Sequence, residues 1–417
     1  MNNTVKLLVA LASLVAVTSL PAAPRDAVAQ SATARDAAFQ QDFETFLKTG
    51  MARFPSIPAL SAAIVHSDRA IMVTAIGAAD RETQKRADAA TRFYIASSTK
   101  SFVALALARL AAKGEIDLDW TLADLAPDIA FAPGVEPELV TLRVLLSHSH
   151  GLKGDALQFR LAYSGDWDQP TLSRLLAGLE SNPKAPRVTF AYSNLGYNVA
   201  ALLVERKLNR TWQSIVEKEV VVPLALRDTA ARGLARKANR AAPYDGMKRL
   251  YLLKTDATMQ SAGGMESSAR DMARWVRANL TADRGGKGAL AAEMRQTHVP
   301  SVPTDSTFGP FKRTGYGLGW YSGPYEQQTL IHSFGGFSGF RAHVSFLPEQ
   351  DLGVAVMSND DGAGYWFVDI AAAYAYDWNR AGPEDARSAA DSRLAVPIGA
   401  WRTPSSQWHP PRLSHSA

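Results

Sequence analysis

The tetrapeptide SSTK, residues 97–100, runs directly into SFVALALARLAAK, residues 101–113, a stretch rich in alanine and leucine without glycine or proline. Such a composition favours an α-helix, and Gly114 follows where a helix commonly ends. Side chains three residues apart lie on the same face of a helix. We therefore predict that Ser97 and Lys100 lie side by side in the first turn of a helix.

A serine and a lysine in this arrangement can act as a nucleophile and its base. A serine hydroxyl attacks carbonyl groups poorly unless a base takes its proton. Lysine can be that base if burial and neighbouring charge hold it partly neutral. The backbone N–H of Ser97 would also point out of the helix N-terminus, where it could stabilise a developing oxyanion. On the motif alone, an N-capping serine with a solvated lysine is an equally good interpretation.

The same motif occurs a second time at Ser181-Asn182-Pro183-Lys184. This copy stands among prolines and has no apolar helical stretch behind it, which predicts a loop. A match to S-x-x-K is therefore not informative by itself, and the first copy gains weight only from other segments.

Two further segments carry candidate polar groups. Tyr192-Ser193-Asn194, within FAYSNLGY, supplies a phenol and an amide in a turn before the apolar stretch VAALLVERKL, residues 199–208. The sequence IHSFGG, residues 331–336, predicts a short strand that ends in glycines, where a ligand can approach the backbone closely. Taken alone, the first segment is better explained as a turn with a half-buried tyrosine. The alternative for the second is a strand that ends in a bulge.

Together, in this order and spacing, the three segments resemble the penicillin-recognising serine hydrolases. These comprise class C β-lactamases, D-alanyl-D-alanine carboxypeptidases, and related esterases and D-aminopeptidases. Further segments resemble the same family: TRFYIASSTKSF (91–102), GEIDLDWTLADLAPD (114–128), VTLRVLLSHSHGL (140–152), SAGGMESSARDMARW (261–275) and YGLGW (316–320). The similarity runs from about residue 58 to about residue 377.

Strand patterns at both ends of the chain, with helical patterns between them, predict an α/β protein of the α+β type. We expect an antiparallel sheet flanked by helices and built from both chain ends, with an inserted all-helical lobe, as in the β-lactamase and DD-peptidase fold. The expected boundaries are 36–113 and 305–381 for the sheet lobe, 114–304 for the helical lobe, and 382–417 for a mostly disordered tail. The resemblance implies a five-stranded type of sheet and an active site between the lobes.

The resemblance also implies the roles of individual residues. It implies catalytic roles for Ser97, Lys100 and Tyr192, and substrate-binding roles for Asn194, His332, Ser333, Gly335 and Gly336. In this scheme Ser97 is the nucleophile, and Lys100 and Tyr192 share the base and acid roles. Asn194 would anchor Lys100 and a substrate carbonyl or amide. The oxyanion hole would consist of the backbone N–H groups of Ser97 and Gly336.

The third of these segments, residues 331–336, departs from the family pattern and is called the third motif below. Family members usually carry Lys-Thr-Gly there, or a histidine in place of the lysine, whereas Ser333 stands at that position here and His332 comes one residue early. Either a one-residue shift brings His332 into the site, or the cationic group is absent. Because that cation normally meets a substrate carboxylate, its displacement favours esters or uncharged amides as substrates.

The N-terminal sequence predicts export. A short positive start and an apolar run at residues 7–20 precede Ala27-Val28-Ala29, which fits a signal-peptidase site. We predict that residues 1–29 are a removed signal, which would make the protein periplasmic or secreted, with an uncleaved anchor as the alternative. The chain has no cysteine, which excludes both a cysteine-linked lipid anchor and disulfide bonds.

Composition narrows the class of partner. With 417 residues and 47% hydrophobic residues, the chain can bury a large core. Its lysines and arginines are scattered, so nucleic acid is not expected as a partner, and no segment after the signal is apolar enough to span a membrane.

His148-Ser149-His150 resembles a metal pair, but the other expected ligands do not follow it. We expect no cofactor and no metal.

The sequence thus predicts a serine hydrolase that acts through an acyl-Ser97 intermediate on a small-molecule ester, amide or D-peptide, including β-lactams. No G-x-S-x-G motif occurs, which argues against an α/β-hydrolase. The rival hypothesis is a protein of the same fold that binds cell-wall fragments or a partner without turnover. The loops expected to shape the pocket are residues 153–169 and 297–308, and the sequence leaves the oligomeric state open.

Overall fold

The central element of the chain is a nine-stranded sheet in which neighbouring strands run antiparallel. The computed structural model describes residues 25–163, 168–233, 239–251 and 256–395. The strands are β1 Ala59–Val65, β2 Ala70–Asp80, β3 Lys85–Arg86, β4 Phe93–Tyr94, β5 Leu152–Lys153, β6 Glu180–Ser181, β7 Tyr244–Asp245, β8 Lys248–Arg249, β9 Glu266–Ser267, β10 Val302–Phe308, β11 Phe311–Tyr316, β12 Tyr321–Tyr325, β13 Gln328–Phe337, β14 Phe340–Leu347 and β15 Leu352–Ser358.

Helices cover both faces of this sheet and fill the middle of the chain. They are α1 Arg25–Arg53, α2 Thr99–Ala112, α3 Leu122–Leu125, α4 Leu142–Leu146, α5 Asp155–Tyr163, α6 Gln169–Ala177, α7 Asn194–Leu208, α8 Trp212–Val216, α9 Ala269–Asp283, α10 Ala291–His298, α11 Gly364–Ala381 and α12 Pro383–Ala395. Helices α3 to α8 lie between the first and last strands of the large sheet in sequence, where the helical lobe was predicted.

The sheet joins the two ends of the chain. Its strand order is β10-β11-β12-β13-β14-β15-β1-β2-β3, so β1 from the N-terminal part lies between β15 and β2. In the pairing of β1 with β15, Ala62 is opposite Val356. The prediction of an antiparallel sheet flanked by helices and built from both chain ends is confirmed. The sheet is larger than the five-stranded type, because β10 to β12 extend one side.

Side-chain alternation along the central strands gives the sheet two buried faces. On one face, Ile64 of β1 and Val356 of β15 pack in a cluster with Phe43 of α1 and residues of α11. On the other face, Ala63 joins a second cluster that contains Phe102 of α2. The ring of Phe102 stacks on Trp275 of α9 with 3.9 Å between centroids. A sheet buried on both faces holds α2, and hence the segment that begins with Ser97, in a fixed position.

Two predicted boundaries differ from the structure. The tail from residue 382 begins with helix α12, which packs on α11 and buries Ala386 and Ala390; residues 396–417 of the predicted tail lie outside the described residues. The predicted loop 297–308 contains β10, an edge strand in which exposed residues alternate with partly buried ones and only the two ends are buried. The strand could not be recognised from the sequence, because Val302 and Phe308 at its two ends are the residues that are both apolar and buried.

The N-terminal predictions fall partly outside the described part of the chain. Residues 1–24 of the predicted signal lie outside it, and α1 begins at Arg25. Of the predicted pocket loop 153–169, residues 155–163 form α5 and residues 164–167 again lie outside the described residues. Within the described ranges, no helix has both the length and the apolar character needed to cross a membrane.

Candidate active site

A single turn of 3-10 helix, Ala96–Ser98, presents Ser97 directly before α2. The backbone of Ala96 has a positive φ of 45°. This left-handed conformation costs a residue with a Cβ about 1–2 kcal/mol. Ser97 is partly exposed, whereas Ser98 and Lys100 are buried. The strained turn thus leaves the Ser97 hydroxyl accessible at the start of an otherwise buried helix.

Lys100 lies beside Ser97 in the first helical turn, as the spacing of the two residues predicts. Its side chain is 1% exposed, and its Nζ lies 3.1 Å from Ser97 Oγ. The same nitrogen donates to Asn194 Oδ1 and to the carbonyl oxygen of Ala262, both at 2.7 Å. None of these three neighbours carries a charge. Burial therefore holds the pKa of Lys100 well below its ordinary value, since none of these neighbours supplies a negative charge.

The three contacts fit an uncharged amine. A neutral lysine has two N–H donors and one lone pair. The two carbonyl-type oxygens, from Asn194 and Ala262, take up the two donors. The contact with Ser97 Oγ is then the one through which an uncharged Nζ can accept the serine proton, whereas a charged Nζ donates to that oxygen. This arrangement sets Lys100 up to accept the Ser97 proton.

Tyr192 completes the set of groups around the serine. Its phenol is hydrogen-bonded to the Ser97 side chain, and its ring centroid lies 4.9 Å from Lys100 Nζ. Burial raises the pKa of Tyr192 well above its ordinary range, helped by the neighbouring Tyr321 and opposed by the bond to Ser97. A tyrosine in this environment keeps its proton at neutral pH. It is therefore set up to donate a hydrogen bond.

Asn194 belongs to α7 and contacts Lys100 of α2, which is 94 residues earlier in the chain. It is the first residue of α7, whose N-cap Ser193 accepts a hydrogen bond from the backbone N–H of Leu195. Most of α7 is buried, which fixes its first turn against the neighbouring helices. The bond from Lys100 to Asn194 therefore ties the first turn of α2 to the first turn of α7.

Strand β13 approaches the Ser97 turn with its glycines. Strand β12 pairs with residues 328–332 of β13, whereas residues 333–337 pair only with β14 among the described strands. A Cβ placed on Gly335 would lie 1.9 Å from the carbonyl oxygen of Ile95 and 3.1 Å from the backbone nitrogen of Ser97. Only glycine lets the strand come this close. The backbone of β13 thus forms one wall beside Ser97.

The register of β13 places Ser333 and His332 on opposite faces. The pairing with β14 is regular, with His332 opposite Ser345 and Ser333 opposite Val344. Ser333 shares its face with Gly335 and hence with the Ser97 turn. His332 is 1% exposed on the other face, where its ring lies against Phe311, Tyr321 and His343.

The structure therefore does not bring His332 to Ser97, and the one-residue shift considered above does not occur. Burial, with the nearby Arg313 as a second cause, lowers the pKa of His332 well below its ordinary value. Gly336 follows Gly335 on the opposite face, where an added Cβ would lie 3.0 Å from the ring of Tyr365. Ser97, Lys100, Tyr192, Asn194, Ser333 and Gly335 are the predicted residues that the structure gathers on the Ser97 side.

Sequence reasoning missed Arg313 on β11. Its guanidinium carbon lies 4.0 Å from the ring centroid of Tyr321 and 4.6 Å from that of Phe334. These two rings stack on Tyr192, with 6.4 Å and 5.8 Å between centroids. A signal was present in FKRTGY, residues 311–316, where Arg313 occupies an inward position of an alternating strand.

His148, which was considered as a metal ligand, packs behind Tyr192. Its ring centroid lies 4.5 Å from that of Tyr192, and its Nδ1 accepts a hydrogen bond from the backbone of Ser193. Nε2 then carries the proton and donates to the hydroxyl of Tyr316 at 3.2 Å. Burial, and the nearby Lys100, lower the pKa of His148 well below its ordinary value. His148 is therefore an uncharged side chain that packs against the ring of Tyr192 and helps to hold it in position.

Comparison with known proteins gives one family. A family model described as Beta-lactamase matches residues 43–377. The chain is 22% identical over 330 residues to Protein flp of Staphylococcus aureus, a match that covers 77% of this chain and 63% of that protein. It is 24% identical over 338 residues to the unguisins hydrolase ungD of Aspergillus violaceofuscus, which covers 73% and 58%. The chain thus spans less than two thirds of the length of these relatives.

Two solved structures have a similar fold. The octameric penicillin-binding protein homologue from Pyrococcus abyssi superposes with a TM-score of 0.67 at 22% identity, over 82% of this chain and 78% of that one. The D-alanine carboxypeptidase AmpC from Burkholderia cenocepacia gives a TM-score of 0.64 at 20% identity, over 86% and 98%. At these identities the likeness shows the fold alone.

Proposed function

Because the chain belongs to the beta-lactamase family, whose members are generally serine hydrolases, we propose that it transfers an acyl group from an ester or amide to water through an acyl-Ser97 intermediate. The observation that carries this proposal is the environment of Lys100. A buried amine whose pKa is lowered, with two neutral acceptors and a third contact to Ser97 Oγ at 3.1 Å, is suited to proton abstraction.

In the first step, the Ser97 oxygen forms a bond to the substrate carbonyl carbon while its proton moves to Lys100 Nζ. The carbonyl oxygen becomes an oxyanion. The backbone N–H groups of Ser97 and Gly336 are proposed to stabilise it. The close approach of Gly335 to the Ser97 nitrogen supports this pairing, because it brings the two backbone segments together.

In the second step, the carbonyl re-forms and the leaving group departs with a proton from Tyr192. Tyr192 recovers a proton from the Lys100 ammonium, which restores the neutral amine. The raised pKa of Tyr192 supports its role as the acid, and the lowered pKa of Lys100 supports its role as the base. Water then attacks the acyl-Ser97 ester with the same groups acting in reverse, which frees the acid product and Ser97.

The substrate range that we propose is a small-molecule carboxylic ester, D-amino-acid peptide or β-lactam. Ser333 and Gly335 would border the bound substrate, and Asn194 would meet its carbonyl or amide group. The relatives named a hydrolase and a D-alanine carboxypeptidase support an acyl bond as the target. Export to the periplasm or the medium remains a proposal that rests on the sequence of residues 1–29.

Hydrolysis of a 4-nitrophenyl ester by wild-type protein and by Ser97→Ala tests the proposal. We expect the substitution to lower kcat/KM by several orders of magnitude, as is typical for the nucleophile of such a unit. Ser181→Ala is the matched control, because Ser181 begins the second S-x-x-K copy and lies exposed in β6. Near-wild-type hydrolysis by Ser97→Ala would overturn the assignment.

A further inference from the structure

The side chain of Asn198 forms hydrogen bonds with three consecutive residues that are far away in the sequence. Asn198 lies in the second turn of α7 and is 2% exposed. Its Oδ1 accepts hydrogen bonds from the Ser261 hydroxyl and from the backbone N–H of Ala262, both at 3.2 Å. Its Nδ2 donates to Gln260 Oε1 at 2.6 Å. This buried amide therefore fixes the segment 260–262 against α7.

The segment that Asn198 holds touches both the base and the nucleophile. Ala262 uses its N–H for Asn198 and its carbonyl oxygen for Lys100, whose Nζ donates to it at 2.7 Å. The next residue, Gly263, lies beside the turn that carries Ser97. A Cβ placed on Gly263 would lie 3.7 Å from the backbone nitrogen of Ser97. The position of this segment thus bears directly on the geometry between Lys100 and Ser97.

Both neutral acceptors of Lys100 depend on one face of α7. Asn194 and Asn198 are four residues apart and therefore lie on the same side of that helix. Asn194 accepts a hydrogen bond from Lys100 directly, whereas Asn198 reaches Lys100 through Ala262. Without Asn198, the peptide of Ala262 is free to turn its carbonyl away. Lys100 would then lose one of the contacts that hold its Nζ beside Ser97 Oγ.

We propose that Asn198 is a positioning residue for the reaction, which aims the Ala262 carbonyl at Lys100 and so keeps Nζ beside Ser97 Oγ; this rests on the hydrolase function proposed above. Because Asn198 is buried and acts through Ala262, its loss should slow the chemical step without weakening substrate binding. Misplacement of a catalytic group by about 1 Å can lower a rate by about a hundredfold. Hydrogen bonds that are remote from the substrate thus contribute to catalysis.

The variant Asn198→Leu keeps the shape of the side chain and removes its donor and its acceptor. We expect kcat for a 4-nitrophenyl ester to fall by about tenfold or more, with KM changed by no more than about threefold. Rates are counted per active serine, from the amount of protein that a fluorophosphonate labels at completion. An unchanged kcat would overturn the proposal.

Asn279→Leu is the matched control, because it makes the same substitution at a buried helical asparagine. Asn279 of α9 is 1% exposed, donates to the carbonyl oxygen of Trp275 at 2.8 Å, and has its Oδ1 2.9 Å from His298 Nε2. We expect both variants to unfold at a lower urea concentration than the wild type, since each leaves buried polar groups unpaired. The kcat of Asn279→Leu should stay within about twofold of the wild type. Equal losses of kcat in the two variants would contradict a specific role for Asn198.

The pH dependence separates positioning from general damage to the fold. A carbonyl that accepts a hydrogen bond from an ammonium favours the charged form, so its loss should lower the pKa of Lys100 further. We therefore expect the acid limb of kcat/KM to move to lower pH in Asn198→Leu. The titratable groups that face Lys100 are Tyr192, Tyr197 and His148, which burial keeps uncharged at neutral pH. An acid limb that stays in place would overturn the proposal.

A second variant tests the proposal if Asn198→Leu does not fold. Gln260→Met removes one of the three hydrogen bonds from the other side and leaves α7 intact. We expect it to lower kcat by more than about twofold, because one anchor of the segment is lost. A kcat equal to that of the wild type would overturn the proposal.

A titration followed by NMR distinguishes failure of this proposal from failure of the hydrolase function. If the wild type neither hydrolyses esters nor takes up the fluorophosphonate, the hydrolase function fails, and the ¹³Cε signal of Lys100 still tests Asn198. The variant Lys100→Met identifies that signal. A lower titration midpoint in Asn198→Leu than in the wild type supports the proposal, and equal midpoints would overturn it.

Discussion

Lys100 and Asn194 stand 94 residues apart in the chain, and a hydrogen bond of 2.7 Å joins Nζ of the first to Oδ1 of the second. The bond links the first turn of α2 to the first turn of α7. It also supplies an acceptor without supplying a charge. The site thus holds a lysine in place and leaves it free to lose its proton.

Asn194→Asp should raise the pKa of Lys100 back toward its ordinary value, because a carboxylate in contact favours the ammonium form. We expect kcat/KM for a neutral ester at pH 7 to fall by about tenfold or more, since each factor of ten corresponds to about 1.4 kcal/mol. The activity should recover as the pH is raised. A loss of equal size at every pH would indicate structural damage and contradict this role.

Lys100→Met should abolish hydrolysis and stabilise the fold. The pKa of Lys100 lies below its ordinary 10.5 in the folded state, so between the two values the unfolded chain binds more protons. The contribution of this group to stability is therefore fully present above pH 10.5 and declines as the pH falls through that window. Urea unfolding at pH 6 and pH 9 should show a larger gain for Lys100→Met at pH 6.

Lys184→Met is the matched control for that measurement, because Lys184 closes the second S-x-x-K copy and is exposed. We expect its free energy of unfolding to change by no more than about 0.5 kcal/mol. A decrease in stability for Lys100→Met would mean that the lysine is held as a charged, structural group.

Gly335→Ala should damage the site, because its Cβ would lie 1.9 Å from the Ile95 carbonyl oxygen, a backbone atom. Overpacking of this kind costs about 1–3 kcal/mol, and we expect a loss of that size in urea unfolding together with reduced esterase activity. The control is Gly288→Ala, since an added Cβ there meets no atom within 4 Å. Equal stability of the two variants would contradict the close approach of β13.

His332→Phe tests whether His332 takes part in the site or faces away from it. The His332 side chain faces away from Ser97 and lies among aromatic rings, so an aromatic replacement should change kcat/KM by no more than about threefold. A loss comparable to that of Ser97→Ala would place His332 in the site after all.

Much of this arrangement could be predicted from the sequence. Helical spacing places Ser97 beside Lys100, and the alternating and helical patterns predict the sheet with its helices. The side on which His332 and Ser333 lie could not be predicted, because it depends on the register between β13 and β14. Arg313 was missed because it lies outside every motif; the alternation in its strand marks it as inward-facing, but only the folded sheet shows that it lies near Tyr192.

The segment from residue 382, which contains α12, could not be predicted from the sequence for a different reason. Helix α12 follows α11 directly, but its sequence offers only small apolar residues, such as Ala386 and Ala390, to mark the buried side. Residues of this size give a weak helical pattern, and their burial depends on α11 being in place. Tertiary packing therefore decides the structure of this segment.

The most direct test of Ser97 as a nucleophile is the intact mass of the purified protein after incubation with a fluorophosphonate, followed by peptide mapping. We predict a single adduct, located on Ser97 and absent from Ser97→Ala, with Ser181→Ala labelled like the wild type. No adduct on folded protein would contradict the proposed mechanism and would favour a protein that binds its ligand without turnover.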